Sequence, residues 1–324
     1  MQNDISLAMK KPSKMKDESR KLKFKHDIKM MKRHWQMYLL ILPPLLCIII
    51  FNYVPMYGLQ IAFKDFSFSK GFTGSDWVGL KHFRQFFNSD SSWLIIKNTL
   101  TISLYSLIAS FPLPILLAVA LNECKNKYFK KGVQTITYAP YFISTVVLVG
   151  MLFQVLDPQI GIVGKMAQLM GKQPINFMGD PKYFKSIYVW SGVWQTTGYS
   201  SIIYLAALAG VDPALQEAAI IDGASKWKRI WNVDLPSIRP TIVILLILNL
   251  GSLMNVGFEK IFLMQNPMNA ASSEIISTYV YKVGLISADF SFSTAVGLFN
   301  SVINLILILS ANYLSKKLCD IALW

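Results

Sequence analysis

The sequence predicts an all-α membrane protein with six transmembrane helices, and three observations support that fold class. Of the 324 residues, 53% are hydrophobic and 15% are charged, whereas a soluble domain usually carries about 25% charged residues. Six segments are long and apolar enough to cross about 30 Å of hydrocarbon. The lysines and arginines concentrate in alternate connecting segments, which is typical of loops that face the cytoplasm.

Each predicted span holds about 20 mostly apolar residues, as a membrane-crossing helix requires. The predicted spans cover residues of about 35–58, 98–121, 136–156, 185–209, 239–263 and 292–314. An even number of spans places both termini on the same side of the membrane. The basic segment directly before the first span indicates that this side is the cytoplasm.

The sequence divides into three parts around these spans. Residues 1–34 form a basic cytoplasmic N-terminal arm, residues 35–317 form the six-span domain, and residues 318–324 form a cytoplasmic tail. The N-terminus does not resemble a secretory signal peptide, because its basic stretch is too long and no cleavage site follows a short apolar core. The first apolar segment is therefore expected to remain as a span.

The net charge of +14 does not indicate a nucleic-acid-binding protein. Much of the excess lies in the arm before the first span, where positive charge orients a membrane protein and attracts anionic headgroups. The three cysteines, Cys47, Cys124 and Cys319, show no paired spacing, and the three histidines form no ligand cluster. Neither a disulfide framework nor a metal site is predicted.

Proline and glycine recur inside the predicted spans. They include Pro43, Pro44, Pro112, Pro114, Pro140, Gly192, Gly198, Gly251 and Gly257. Proline removes a backbone donor, so a neighbouring helix or a polar cavity must satisfy the freed carbonyl. This pattern favours a bundle that moves or encloses a path over a simple membrane anchor.

Polar and aromatic side chains in the last three spans are candidates for contact with a transported molecule. Aromatic faces combined with amide hydrogen bonds suit a sugar, and amides are costly to bury in lipid. The candidate substrate-path residues are Trp190, Trp194, Gln195, Tyr199, Asn249, Asn255, Glu259 and Asn300. Interhelical hydrogen bonds and packing explain the same residues without a substrate, so both interpretations stay open.

The segments on the outer side are too short to form a separate enzymatic domain. Residues 62–97 predict a loop followed by an amphipathic helix at the membrane surface. Residues 157–184 and 265–291 carry Gly, Pro, Asn and Ser turn signals.

The loop after the fourth span, VDPALQEAAIIDGASKWKRIWNVDLPSIRP (211–240), predicts two short helices separated by a glycine. Asp212 can cap the first helix, and Gly223 can end it with a left-handed turn. Ser225 can cap the second helix, which is expected to end before Leu235.

A short helix–glycine–helix segment in a cytoplasmic loop needs a neighbouring protein surface to pack against. Its small residues let another backbone approach closely, and Trp227, Ile230 and Trp231 are candidate buried anchors at helical spacing. The segment either docks on a partner or packs only under its own bundle.

The residues of this loop resemble the EAA loop of permease subunits in binding-protein-dependent ABC importers. The matching string is Glu217-Ala218-Ala219, then Asp222-Gly223-Ala224, then Leu235-Pro236, with Pro236 twelve residues after Ala224. The resemblance implies the type I ABC importer permease fold. It also implies that these residues form coupling helices that dock in a cleft of the ATPase subunit. Ile230 and the pair Val233–Asp234 depart from the family pattern, which puts in doubt which ATPase is accepted.

The resemblance extends over about residues 35–317. The stretch LLILPPLLCIIIFNYVPMYGLQIAFKDF and the string Ile96 to Leu100 are similar to sugar permeases of the maltose-importer superfamily. The late stretches NVGFEKIFLMQNP and DFSFSTAVGLFNSVINLILILSANYLSKK resemble its complex-polysaccharide branch, including alginate importers. This resemblance implies an oligosaccharide or polysaccharide substrate, with alginate as the specific case.

The family implies several partners and a location. They are a second homologous permease subunit, two ATPase subunits, an extracytoplasmic solute-binding protein and membrane lipids, with no nucleic acid. The implied location is the bacterial cytoplasmic (inner) membrane. No cofactor is expected in this chain, and ATP and Mg²⁺ would be held by the partner subunits. The chain is therefore expected to be a non-catalytic subunit.

Two alternatives belong to other functional classes. An ion-coupled secondary transporter usually shows more spans, inverted repeats and charge at mid-membrane, whereas Glu259 is the one acidic residue well inside a predicted span. A membrane enzyme would need a convergent set of catalytic side chains. The string from Gly161 to Met166 is too short for a phosphate-binding loop, so energy from ATP would have to come from another polypeptide.

Overall fold

The computed structural model describes residue 30 and residues 33–322. Nearly all of the predicted N-terminal arm and the last two residues of the predicted tail lie outside the described residues. The helices are, in chain order, α1 Trp35–Ile48, α2 Gly71–Gly74, α3 Lys81–Phe87, α4 Asp90–Ser110, α5 Pro112–Asn122, α6 Lys127–Tyr138, α7 Thr145–Leu156, α8 Ile162–Leu169, α9 Pro181–Ala209, α10 Pro213–Ile221, α11 Lys226–Arg229, α12 Leu235–Gly251, α13 Phe258–Met264, α14 Ala270–Ser273, α15 Ile276–Tyr281 and α16 Phe290–Cys319.

Short non-α elements join these helices. The stretches with 3₁₀ or π geometry are Ile49–Tyr53, Val54–Phe63, Ala139–Phe142, Ile230–Asp234 and Lys282–Ile286. Strands β1 Lys64–Asp65 and β2 Asp76–Trp77 pair antiparallel. The chain divides into two units, one ending at Gln60 and the other running from Ile61. The first contains α1, and the second contains all the later helices.

The predicted number of spans is reached when two bent helix pairs are each counted as one. The continuous segments that are long and apolar enough to cross a membrane are Trp35–Phe63, Asp90–Asn122, Lys226–Gly251 and Phe290–Lys317. The bent pairs are Lys127–Phe142 with Thr145–Leu156, and Pro181–Ala209 with Pro213–Ile221. The expectation of an all-α, multi-span protein is therefore confirmed.

The predicted third span, 136–156, is not one straight helix. The chain turns by 99° between Lys127–Phe142 and Thr145–Leu156. Hydropathy cannot register this turn, because the composition stays apolar through it. The side-chain amide of Gln195 donates to the carbonyl of Ile143 at 2.8 Å, so a backbone group freed at the turn keeps a partner within the bundle.

The predicted fifth span, 239–263, is also interrupted. Helices α12 and α13 leave residues 252–257 outside regular α-helix. The backbone N–H of Met254 donates to the side-chain oxygen of Asn304, on α16, at 3.0 Å. Irregular backbone is tolerated at membrane depth where neighbouring protein satisfies it, and here α16 supplies that neighbour.

Helix α9 is the centre of the second unit, since it packs against α4, α5, α6 and α12. It lies close to α6 at Gly198, where an added Cβ would meet the backbone carbonyl of Thr137. Three apolar clusters fill the space between helices. Their buried members include Ile102, Phe184, Ile261 and Met264 in the first, Phe86, Ile95, Ile276 and Phe292 in the second, and Ala118, Tyr204, Leu208 and Ile238 in the third.

The segment between α13 and α16 is tied back onto α4. The side-chain amide of Asn98 donates to the carbonyl of Ala271 at 3.0 Å, and the N–H of Ile276 donates to the hydroxyl of Thr99 at 3.0 Å. The helix predicted within residues 62–97 is α3, which buries one face against α16.

Candidate functional site

The loop 211–240 folds largely as its local signals predict. The Asp212 carboxylate accepts a hydrogen bond from the N–H of Ala214 at 2.9 Å and so caps α10. Gly223 has a φ of +75°. The N–H of Ala224 reaches back to the carbonyl of Ala219 at 2.9 Å, which completes a Schellman ending. Helix α10 leaves α9 at an angle of 72° and is therefore a separate arm.

The second helix of the loop differs from the prediction. Ser225 caps it, as expected, through the N–H of Lys228 at 3.5 Å, but the helix does not end before Leu235. The π-helical stretch Ile230–Asp234 carries it without a break into α12. The π-helical stretch lies directly before Pro236, the second residue of α12. Since proline has no N–H to bond the preceding turn, a change of hydrogen-bond register is expected at this position.

The outward face of this loop carries large apolar side chains. No residue of α10 is buried. Ile221 is 86% exposed, Trp227 is 73% exposed and Trp231 is 66% exposed, whereas Ile230 packs beneath them on the third apolar cluster. The two tryptophans are therefore not anchors within this chain, and the surface they form is unpaired in the single subunit.

The residues of the EAA-like string divide between this surface and the interior. Glu217, Ala218, Asp222, Gly223 and Pro236 are exposed. Ala219, Ala224 and Leu235 are half-buried. The structure thus brings Glu217 to Ala224 together on one arm, with Leu235 and Pro236 at the start of the helix that follows it.

Two cavities lie between the helices of the second unit, the larger with a mixed lining and the smaller with a mainly polar one. The larger has a volume of about 580 Å³ and the smaller about 190 Å³. Ser110 and Asn249 line both, so the two cavities adjoin. Tyr199 lines the larger cavity and Asn255 the smaller. Three of the eight predicted path residues therefore meet at these adjoining cavities.

The smaller cavity carries hydroxyls that the sequence analysis missed. Ser103, Ser106 and Ser110 lie on one face of α4, and Ser252 faces them from the interrupted segment. Within the described part of the chain, the hydroxyls of Ser103 and Ser106 are buried and have no hydrogen-bond partner. Buried hydroxyls normally find a partner, so these two are unsatisfied polar groups beside the cavity. The i, i+3, i+7 spacing of the α4 serines in the second span was the available signal.

The larger cavity has an aromatic wall. The rings of Tyr141 and Tyr199 stack with centroids 3.8 Å apart and an interplanar angle of 4°, and both residues line the cavity. Sequence reasoning selected Tyr199 and missed Tyr141, because the two tyrosines lie in different spans.

The remaining predicted path residues lie elsewhere. Trp190 and Trp194 line an apolar groove of about 310 Å³ against α7, and the Trp190 indole donates to the Tyr105 hydroxyl at 2.8 Å. Glu259 is exposed in the first turn of α13. Asn300 lines a further groove and donates to the side-chain oxygen of Asn255 at 3.3 Å. Gln195 is engaged at the turn described above.

A buried lysine stands close to the smaller cavity. Lys260 is 8% exposed, and its ammonium donates to the backbone carbonyl of Tyr188 at 3.0 Å. The same ammonium lies 4.9 Å from the centre of the Tyr188 ring, a cation–π distance, and Tyr188 lines the cavity. No carboxylate lies within ion-pair distance of it among the described residues. Sequence reasoning noted Glu259 and missed this neighbour.

Metal binding has no support in the described residues, among which no group of three or more His, Cys, Asp or Glu side chains is placed to hold an ion.

The sequence of this chain matches one family model and is similar to known proteins over most of its length. The model of the family described as binding-protein-dependent transport system inner membrane component matches residues 110–319. Protein LplB of Bacillus subtilis (strain 168) is 42% identical over 287 residues, covering 89% of this chain and 90% of LplB. The polygalacturonan/rhamnogalacturonan transport system permease protein YteP of the same organism is 44% identical over 281 residues, covering 87% of this chain and 88% of YteP.

The fold also matches solved structures. A chain in the crystal structure of a bacterial ABC transporter involved in the import of the acidic polysaccharide alginate is 41% identical, with a TM-score of 0.84, covering 91% of this chain and 99% of that chain. A second match, with the same identity and coverage and a TM-score of 0.83, comes from a bacterial alginate ABC transporter in complex with an alginate pentasaccharide-bound periplasmic protein. The predicted permease fold is thereby confirmed.

Proposed function

Since the chain belongs to the family of binding-protein-dependent transport system inner membrane components, we propose that it forms half of the membrane path for an oligosaccharide in an ATP-driven importer. The chain is a permease subunit and not itself an enzyme. ATP and Mg²⁺ belong to partner ATPase subunits, and this chain converts their movement into a change of access to the path.

The exposed apolar arm formed by α10 and α11 is the observation that carries this proposal. Exposed aromatic and aliphatic side chains grouped on a well-formed arm are typical of an interface. The Schellman ending at Gly223 and the two caps give the arm a defined shape without help from a partner. Such an arm loses little entropy when it docks.

The coupling role falls on the residues of the EAA-like string. The docking residues are Glu217, Ala218, Ala219, Asp222, Gly223 and Ala224, with Leu235 and Pro236 closing the motif. Closure of the ATPases on ATP would carry the arm inward as one body and switch the bundle from inward-facing to outward-facing. The continuous helix Lys226–Gly251 supports this step, because it runs from the arm to the cavity residue Asn249.

The partners follow from the family. A second homologous permease supplies the other half of the path, two ATPase subunits supply energy, and an extracytoplasmic solute-binding protein delivers the sugar. The binding-protein-dependent family and the similar transporter solved with its periplasmic protein support the last of these.

An acidic oligosaccharide is the substrate class that we propose, with alginate as the specific case. The names of YteP and of the similar alginate transporter both refer to uronate polymers. Lys260 also supports an anionic substrate, because an intramembrane lysine without a carboxylate partner is costly unless it has a function. The pair Tyr141–Tyr199 offers the stacking face that a sugar requires, and Ser110 and Asn249, which line both cavities, offer hydrogen-bonding groups.

The path residues that we propose with most support are those at the two adjoining cavities, Tyr199, Asn249 and Asn255. Trp190, Trp194, Gln195 and Asn300 stay predictions, since packing or interhelical bonds account for their present positions. Glu259, which is exposed, also stays a prediction.

The proposed topology is six spans in the bacterial cytoplasmic membrane, with both termini in the cytoplasm. The basic arm 1–34 and the tail 318–324 flank the permease domain 35–317. The excess of Lys/Arg in the segments assigned to the cytoplasm supports this orientation. In it, the coupling arm and the ATPases lie on the same side of the membrane.

Reconstitution of the complex tests the proposal. The chain would be purified with its partner subunits, placed in liposomes, and supplied with binding protein loaded with oligoalginate, oligogalacturonate or maltooligosaccharide. We expect ATP hydrolysis and uptake to rise with an oligouronate and to require the ATPase. Uptake that is driven by an ion gradient and needs no ATP would contradict the proposal and favour an ion-coupled secondary transporter.

A further inference from the structure

A buried carboxylate lies at the base of the coupling arm. Asp234, in the π-turn that joins α11 to α12, is 1% exposed. Its Oδ1 accepts a hydrogen bond from the side-chain amide of Gln216 at 2.6 Å. Its Oδ2 is buried without a hydrogen-bond partner among the described residues. A buried carboxylate is costly unless neighbouring groups compensate it, so its surroundings indicate its role.

Those surroundings connect three separate elements. Gln216 lies on α10, and its side-chain oxygen accepts a hydrogen bond from Nη1 of Arg229 at 3.4 Å. Nη2 of Arg229 lies 3.6 Å from Oε2 of Glu123, the residue that follows α5. Both side chains of this ion pair are mostly buried, at 16% and 22% exposure. Glu123, Gln216, Arg229 and Asp234 form what we call the Asp234 cluster.

The Asp234 cluster bridges the arm and the path. Gln216, on α10, and Arg229, on α11, belong to the arm, whose outward side is exposed. Glu123 follows α5, whose Pro114 lines the larger cavity. Asp234 directly precedes α12, whose Asn249 lines the same cavity. Gln216 is the one member of the cluster that lies on α10. The hydrogen bond from its side-chain amide to the Asp234 carboxylate is short and charge-assisted, and such bonds are stronger than hydrogen bonds between neutral groups.

We propose that the Asp234 cluster couples the docking arm to α5 and α12, so that movement of the arm reaches the cavity instead of being lost as bending at Gly223. The inference rests on the proposed transport function. Gln216 and Asp234 act as positioning residues in this role, since neither touches sugar or nucleotide. A purely structural cluster would instead affect assembly, hydrolysis and uptake together.

The decisive variant is the double substitution Gln216→Met with Asp234→Leu. Removing only one partner would leave a buried polar group unpaired, whereas replacing both with apolar groups of similar shape can leave stability nearly unchanged. The double variant should therefore assemble and hydrolyse ATP, but move fewer sugar molecules per ATP. We expect this ratio to fall by about fivefold or more, the usual range of coupling between sites.

Two further variants control the test. Asp234→Asn keeps the acceptor oxygen for Gln216 and should retain most of the coupling. Ser237→Ala, one turn along the same helix, removes an exposed hydroxyl that bonds only the Val233 carbonyl of its own helix and should leave the ratio unchanged.

Sugar uptake and ATP hydrolysis are measured on the same proteoliposomes with loaded binding protein. An unchanged sugar-to-ATP ratio in the double variant overturns the proposal, and so does a parallel loss of hydrolysis and uptake. If the double variant does not assemble, the ratio is measured on Gln216→Met combined with Asp234→Asn, which breaks the same hydrogen bond without leaving an unpaired buried charge. The same fall is expected there, and an unchanged ratio overturns the proposal in the same way. A wild-type complex that imports nothing with ATP would refute the proposed function itself, so the two failures are distinguishable.

Discussion

The close approach of α9 to α6 at Gly198 gives the sharpest stability prediction, Gly198→Ala. An alanine Cβ at Gly198 would lie 3.0 Å from the Thr137 Cβ and closer still to the Thr137 backbone carbonyl. Since a backbone group cannot rotate away as a side chain can, α9 and α6 must separate. Overpacking of this kind lowers the free energy of unfolding by about 1–3 kcal/mol. Because the clash here is with backbone atoms, we expect a loss near the upper end of that range. The gain in helix propensity of about 1 kcal/mol offsets part of this cost.

A matched control is available in the same membrane domain. Gly150, inside α7, has nothing within 4 Å of an added Cβ, so Gly150→Ala gains helix propensity without a clash and should stabilise by up to about 1 kcal/mol. The two variants should therefore differ by about 2–3 kcal/mol. Apparent melting temperatures of the purified complex in detergent measure this difference, which corresponds to about 4 °C or more for a chain of this size. Equal melting temperatures would refute the close approach of α9 to α6.

The remaining predictions concern the arm, the interrupted segment and the path. Gly223→Ala puts an alanine in the left-handed region at a φ of +75°, which should destabilise the local backbone conformation by about 1–2 kcal/mol. Substrate-stimulated ATP hydrolysis should fall as a result, and transport at the wild-type rate would contradict the proposed role of the arm. Asn304→Leu leaves the Met254 N–H without its acceptor and should lower the free energy of unfolding by about 1–3 kcal/mol. An unchanged melting curve would show that this hydrogen bond does not stabilise the interrupted segment 252–257. Lys260→Met should reduce uptake of an oligouronate about tenfold, equal to about 1.4 kcal/mol, and a similar loss for a neutral sugar would indicate a structural lysine. Trp194→Ala tests the sugar path by uptake kinetics, and normal transport would remove Trp194 from the substrate residues.

Local signals in the sequence were sufficient to predict most of the fold of the arm formed by α10 and α11. Asp212, Gly223 and Ser225 act on backbone groups within five residues of themselves, so their caps and the left-handed turn were predictable without any tertiary contact. The end of the second helix was not predictable in this way. Leu235-Pro236 can stop a helix or begin a new turn, and the π-helical stretch before it decides for continuation.

Hydropathy predicted where the chain crosses the membrane but not how straight each crossing is. The turn near Ile143 and the break at 252–257 depend on side chains from other spans, Gln195 and Asn304, that satisfy the freed backbone. A composition window averages over such positions, so it returned uninterrupted spans in both places.

The sequence by itself determined the spans, the fold class, the family resemblance and the shape of the arm, because each depends on residues that are neighbours along the chain. The tertiary structure alone decided which polar residues share a cavity, that Lys260 is buried beside Tyr188, and that Asp234 meets Gln216 eighteen residues away. The physical reason is that burial and hydrogen bonding between helices are set by their relative rotation and separation, and a linear pattern contains neither.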